Sequence, residues 1–336
     1  MAETALEELP PSGSTLKIRE GHLVVASPSS ISEACFSVPA LRALQSSRPA
    51  EELFIISPDN LKSLWTQIVS PHHVITYESG SSRKAAKALS ESGIQFSSAI
   101  LWDESAVAPA FAKLGIAQRL GYATKKVKKH LTDPVSVMTQ AGPVRHRVNH
   151  YLDLVHELGM NPFKAEYFAP TSEHLQRNNR IAIVPGSDFG SAAEWPLDSF
   201  VTLAKHIAAS HEIVIIPSPE HPKAAHALAE ELGDPNLVVS LEGAEQLSFL
   251  SECRGLIGND GSIPHLASLV GTPSVVIFGP NEPEWKRPLG KIHEIVHHRE
   301  PCSGCLLSKC PLDHRCLQGI SIQEVINAAD RLLKED

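Results

Sequence analysis

Short apolar runs alternate along the chain with longer segments of helical period. His22 to Pro28 (HLVVASP) reads as an apolar strand, and after it Ile31, Ala34, Val38, Leu41 and Leu44 fall at helical spacing. Further strands begin at Leu53 (LFIIS) and His73 (HVITY), and another spans Ser98 to Trp102. In the second half, Ile181 to Val184 and His211 to Pro217 (HEIVIIP) read as strands, followed by the helix KAAHALAEEL. Gly255 to Pro280 reads as strand, turn, short helix and buried strand (SVVIF), and the terminal SIQEVINAADRLLKED as an amphipathic helix. Strands alternating with helices predict an α/β protein with mostly parallel, doubly wound sheets.

Length and composition narrow this picture. A chain of 336 residues suits two domains, and 42% hydrophobic with 20% charged residues describes a globular protein. No apolar run reaches membrane-spanning length, and MAETALEELPPSGSTLK lacks the basic and apolar regions of a signal peptide, so a cytoplasmic location is expected. A net charge of −8 argues against bulk nucleic-acid binding and leaves a local basic surface open.

Several stretches carry candidate chemistry. After the strand ending near Ile257, the turn Asn259, Asp260, Gly261 and Ser262 leads into a helix that Ser262 is placed to cap. Pro264 lies in its first turn, and Gly271 stops it. Such a turn offers free amides and a positive helix end to a phosphate, whereas Asp260 suits sugar hydroxyls. On spacing alone a cap and a ligand site are equally good readings, and His265 reads equally as a half-buried helix residue. Pro185, Gly186 and Ser187 start a second small-residue loop that permits close approach to a pyrophosphate, with Asp198 expected to cap the next helix. Arg119, Lys125, Lys126, Lys128, Lys129 and His130 form a cationic segment, readable as a solvated loop or as a holder of a phosphorylated or carboxylated acceptor. Cys302, Cys305, Cys310 and Cys316, four of the six cysteines, have a spacing suited to tetrahedral zinc. Free or redox-active thiols are an equal alternative.

The run NDGSIPHLASLVGTPSVVIFGP resembles the C-terminal signature of the ADP-heptose:lipopolysaccharide heptosyltransferases, glycosyltransferase family 9, usually written NDSGPMHLAAALGTPVVALFGP. Asn259, Asp260, His265, Leu266, Ala267, Gly271, Thr272, Pro273, Phe278, Gly279 and Pro280 agree with it, while Gly261 and Ser262 invert the Ser-Gly order. PGSDFGSAAEWP is similar to the family's PGAxFGPAKRWP, except that Ala193 stands at the position of a lysine that neutralises the donor phosphates. SEACFSVPALRALQ resembles the family's GDxxxxxPxLRALK-like helix, with Ser32 for its glycine and Glu33 for the aspartate proposed as general base. Pro217 and Ser218 occupy the place of a glycine-rich loop. HRVNHYLDL and the basic segment resemble the second-heptose branch.

The resemblance implies a GT-B fold, two Rossmann-like domains facing a cleft, with boundaries at 1–20 (polar lead), 21–165 (acceptor side), 166–180 (linker), 181–318 (nucleotide-sugar side) and 319–336 (helix returning across the hinge). It implies inverting, metal-independent transfer of heptose or a related sugar from an ADP-sugar to a lipopolysaccharide inner-core-type acceptor, with peripheral contact to the inner membrane left open. Glu33 would be the base. Pro185, Gly186, Ser187, Glu245, Asn259, Asp260, Gly261, Ser262 and His265 would bind the donor, and Arg119, Lys125, Lys126, Lys128 and Lys129 the acceptor. Ala193 keeps a second reading alive, a nucleotide-sugar-binding relative without turnover. It also makes Lys286, Arg287 and the basic segment candidates for a replacement cation.

Overall fold

The computed structural model describes residues 16–136, 143–172 and 177–334. Most of the expected polar lead, and part of the expected linker, lie outside them.

The first half runs β1 (Leu23–Ala26), α1 (Ile31–Ser46), β2 (Leu53–Pro58), α2 (Lys62–Trp65), β3 (Val74–Tyr77), α3 (Ser82–Glu91), β4 (Ser98–Leu101), α4 (Ala108–Lys113), β5 (Gln118–Tyr122), β6 (Asp133–Val135) and α5 (Val148–Glu157). The second runs β7 (Arg180–Val184), α6 (Leu197–Ala208), β8 (Glu212–Ile215), α7 (Lys223–Glu231), α8 (Gly243–Glu252), β9 (Gly255–Asn259), α9 (Ser262–Leu269), β10 (Ser274–Phe278), α10 (Pro283–Lys286), β11 (His293–His297), α11 (Arg315–Gln318) and α12 (Ile322–Lys334).

Two all-parallel sheets result, ordered β3-β2-β1-β4-β5-β6 and β11-β10-β9-β7-β8. LVVA of β1 and SVVIF of β10 are buried at every position, because helices cover both faces of a parallel sheet. Strand order reverses direction between β1 and β4 in one sheet and between β7 and β9 in the other. At such switch points the loops beyond the strands' carboxyl ends part and leave a crevice.

The two halves meet through α1 and α9. One apolar cluster runs from Leu23 and Val25 through Phe36 and Leu41 to Leu266, Leu256 and Val184. Arg42 Nη1 donates to the carbonyls of Tyr167 and Ala169, which fastens the expected linker to α1, and Thr171 N donates to Leu269 O at 2.8 Å. The C-terminal helix departs from expectation. Val325, Ala328 and Ala329 of α12 enter the core of the second sheet, and Arg254 Nη2 donates to Leu333 O at 3.0 Å, so this amphipathic face is spent within that half.

Candidate active site

At the first switch point a solvent-open pocket of about 810 Å³ is lined by Ser27, Pro28, Glu33, Tyr77, Trp102, Asp103 and Glu104, among others. Ser30 caps α1 through its side chain, which accepts from Glu33 N at 3.4 Å. The Glu33 carboxylate does not fold back onto that cap. Its Oε2 accepts from Arg147 Nε at 2.8 Å and from the Tyr151 hydroxyl at 2.5 Å. Both donors take the same oxygen, and no hydrogen bond to Oε1 is made among the described residues.

Arg147 also reaches Asp103 Oδ2 through Nη2 at 2.8 Å, and His150 Nε2 lies 2.9 Å from Asp103 Oδ1. Burial opposes ionisation of Asp103, but the His150 hydrogen bond and the His150 and Arg147 charges hold its carboxyl below the usual value. Burial, then the Glu33 and Asp103 charges, push the Tyr151 phenol well above its ordinary range, so it remains a hydrogen-bond donor. Asp103, Arg147 and Tyr151 were not singled out from sequence. Arg147 and Tyr151, four apart, lie within the HRVNHYLDL stretch, but nothing local set them beside Glu33.

The basic segment sits beyond this pocket. Arg119 is not free: Nε donates to His130 O at 2.6 Å and Nη1 to Ile116 O at 2.5 Å, closing the loop. Lys126 pairs at 2.7 Å with Glu104 on the pocket wall. Lys125, Lys128 and Lys129 are exposed.

At the second switch point the two predicted turns interlock. Asn259 is fully buried, its Nδ2 donating to Pro185 O at 2.6 Å and its Oδ1 accepting from Trp195 N at 3.0 Å. Asn259 therefore staples one loop to the other. Ser187 Oγ donates to the Asp260 carbonyl at 2.6 Å, and a Cβ on Gly186 would stand 2.6 Å from His221 O, which explains the glycine. Ser262 is not the cap of α9. Gly261 holds the cap position, and Asp188 Oδ1 accepts the Ser262 N–H at 2.8 Å. Asp198 likewise caps nothing; it lies in the first turn of α6, behind Pro196.

Asp260 is buried, its Oδ2 accepting from Asn281 Nδ2 at 2.5 Å. Burial raises its carboxyl to about 6, with Asn281 and the Lys286 charge opposing and Asp188 assisting. Burial, then the charges of His146, Lys286 and His293, lowers His265 to about 3, so its imidazole is neutral. Around this cradle Ser218 Oγ, Ser262 Oγ, His265 Nδ1 and Asn281 Oδ1 are buried without a partner among the described residues. Buried polar atoms are nearly always paired, so this grouping marks the place for a polar ligand. Glu245 lies apart, exposed in the first turn of α8.

The sheets touch across the cleft where these networks end. The Arg147 N–H donates to Trp285 O at 2.8 Å, His146 Nε2 lies 2.8 Å from Arg287 O, and Phe36 packs edge-on against both His146 and His265.

The cysteine segment lies over the loop that begins at Pro185, with Ala192 N donating to Ser308 O at 3.1 Å. Burial, then the nearby charges of Cys302, Cys310 and Cys305, raises the Cys316 thiol. Among the described residues no three His, Cys, Asp or Glu side chains are grouped to hold a metal ion.

Two parallel sheets whose switch points open onto one cleft define a GT-B protein, and the solved structure of an ADP-heptose lipopolysaccharide heptosyltransferase II from Escherichia coli shares the fold. The TM-score is 0.73 at 20% identity, over 93% of this chain and 98% of that one. The chain belongs to glycosyltransferase family 9 (heptosyltransferase), whose family model matches residues 82–315. It is 30% identical over 189 residues to lipooligosaccharide heptosyltransferase 2 of Campylobacter jejuni, covering 52% of this chain and 56% of that protein. To lipopolysaccharide heptosyltransferase 2 of E. coli it is 22% identical over 313 residues, 82% of this chain and 87% of that one. No helix among the described residues is long and apolar enough to cross a membrane.

Proposed function

We propose that this chain is an inverting glycosyltransferase that moves heptose, or a related sugar, from an ADP-sugar to a lipopolysaccharide inner-core-type acceptor. The donor lies in the β7–β9 crevice and the acceptor in the pocket beyond β1 and β4. The observation that carries the reading is the Glu33 carboxylate on the wall of that pocket, anchored through Oε2 and with Oε1 free of hydrogen bonds among the described residues. That oxygen takes the proton of an acceptor hydroxyl as the hydroxyl oxygen attacks the anomeric carbon. The carbon–oxygen bond to the diphosphate breaks on the opposite face, ADP leaves with the electron pair, and the configuration inverts. The four unpaired polar atoms near Asp260 supply donor contacts in this reading, and the exposed lysines 125, 128 and 129 meet acidic groups of the acceptor. No step passes through the cysteine segment. The two sheets are taken as separate domains joined near 166–180, with the acceptor presented from the membrane face.

Incubation with ADP-heptose and an inner-core acceptor, followed by mass spectrometry and assignment of the new anomeric centre, tests it. A product of retained configuration, or none under conditions where ADP binds, overturns it. The second outcome is that of a nucleotide-sugar-binding relative without turnover, a reading favoured by fully buried Ala193 where the family carries lysine.

A further inference from the structure

The loop that bears the family lysine elsewhere brings only acid here. Asp188 occupies the start of α9, and Glu194, next to Ala193, accepts from Ser187 N at 3.4 Å and lies 3.7 Å from His221 Nδ1. With Asp260 below, a leaving diphosphate would meet three carboxylates and a neutral His265. A counter-charge must come from another element.

The segment 281–287 is the one that both site halves hold. Asn281 at its start donates to Asp260, and Trp285 near its end accepts the N–H of Arg147, whose side chain grips Glu33. Directly after the second anchor, α10 ends on Lys286. Its Nζ rests 4.9 Å from the Trp285 ring centroid, the residue is half-buried, and no carboxylate pairs with it among the described residues. Its charge is felt at both Asp260 and His265, the two buried groups of the cradle. The alternatives fit less well. Arg287 is exposed with its carbonyl at His146, and Lys309 is exposed on the cysteine segment.

We propose that Lys286 is the catalytic cation that meets the donor's diphosphate, taking from another element of the same half the role left open by Ala193. This rests on the nucleotide-sugar reading of the cradle and deepens it. A lysine backed by an indole face and short of water attracts a developing dianion more strongly than a solvated one. Because α10 is fastened to Arg147, the cation and the base Glu33 are set by one junction.

Isothermal titration with ADP, and with adenosine as the phosphate-free control, tests the assignment. Lys286→Met should lose roughly tenfold or more in ADP affinity while adenosine affinity stays within about threefold. Lys286→Arg should stay within about threefold of wild type for both, and the steep fall of ADP affinity with added salt should flatten in the methionine variant. ADP binding unchanged in Lys286→Met, or an equal loss for adenosine, overturns the assignment. Wild-type protein that binds no ADP overturns the reading of the cradle, and the assignment with it. Should the methionine variant fail to fold, Lys286→Gln against Lys286→Arg carries the same comparison.

Discussion

Asp188 and Ser262 lie 2.8 Å apart, the carboxylate of the first accepting the backbone N–H of the second. The helix start that ought to receive an anionic ligand already holds an anion of the protein's own. A donor phosphate arriving there competes with Asp188 for the same amide.

Asp188→Ala should therefore act in opposite directions on stability and binding. Loss of the cap costs about 1 kcal/mol without ligand, while removal of the competing charge should tighten ADP binding about threefold or more. Thermal melts and ADP titrations measure the two. Weaker ADP binding in the variant would mean that Asp188 contacts the donor itself.

For Glu33 the comparison is between glutamine and aspartate. Glu33→Gln keeps the shape and the Arg147 contact but has no proton affinity, so the transfer rate should fall roughly a hundredfold or more with donor binding retained. Glu33→Asp should retain more activity than glutamine. Equal rates for wild type and glutamine in a transfer assay would falsify the role of base.

Arg147→Met removes the side chain that joins Glu33 to Asp103. The folded-state carboxyl of Asp103 is held low, so its contribution to stability is present above its ordinary value near 3.8 and is lost as pH falls through the depressed one. The variant should be less stable than wild type by about 1 kcal/mol near pH 7, a figure discounted because Asp103 is over a third exposed, and the gap should narrow below about pH 4. Turnover should drop more than acceptor affinity, with Arg147→Lys intermediate because an ammonium cannot span both carboxylates as a fork does. Urea titrations across pH and steady-state kinetics decide it; a pH-independent gap sinks the account.

Asp260 has the opposite sign. Its carboxyl is raised from 3.8 to about 6, so the folded state holds the extra proton, and stability falls as pH rises between those values. Asp260→Asn, which still accepts from Asn281, should gain about 1–3 kcal/mol near pH 7, flatten that stretch of the profile, and abolish donor binding or transfer. Denaturation midpoints at pH 4, 5, 6 and 7 report the first effect. A variant with full transfer activity would reduce Asp260 to a structural group.

Both sheets were legible because β1, β4, β9 and β10 are buried on both faces, which leaves their apolar runs unbroken in the text. Asp260 and the Pro185 loop stood out because strand-end turns are local, and Glu33 because the resemblance of its helix named it. Their partners did not. Asp188 lies 74 positions from Ser262, and Arg147 lies 114 from Glu33, distances over which neither period nor spacing speaks. The same gap explains Asn259 and Arg119, which carry the right chemistry for ligands but spend it on Trp195, Pro185, His130 and Ile116 once the chain is folded. α12 was assigned to the hinge by resemblance, whereas its apolar stripe matched the nearer sheet.

The peptide contact between Arg147 and Trp285 bears on how the protein treats water. On the proposed reading, water at the Glu33 pocket would need the same base and the same counter-charge to hydrolyse an activated sugar. When the sheets part, that contact breaks, and Glu33 with Arg147 on one side separates from α10 with Asp260 on the other. On that reading, an open cleft thus keeps base and counter-charge apart and is a poor hydrolase, and the activated sugar survives the wait for its acceptor.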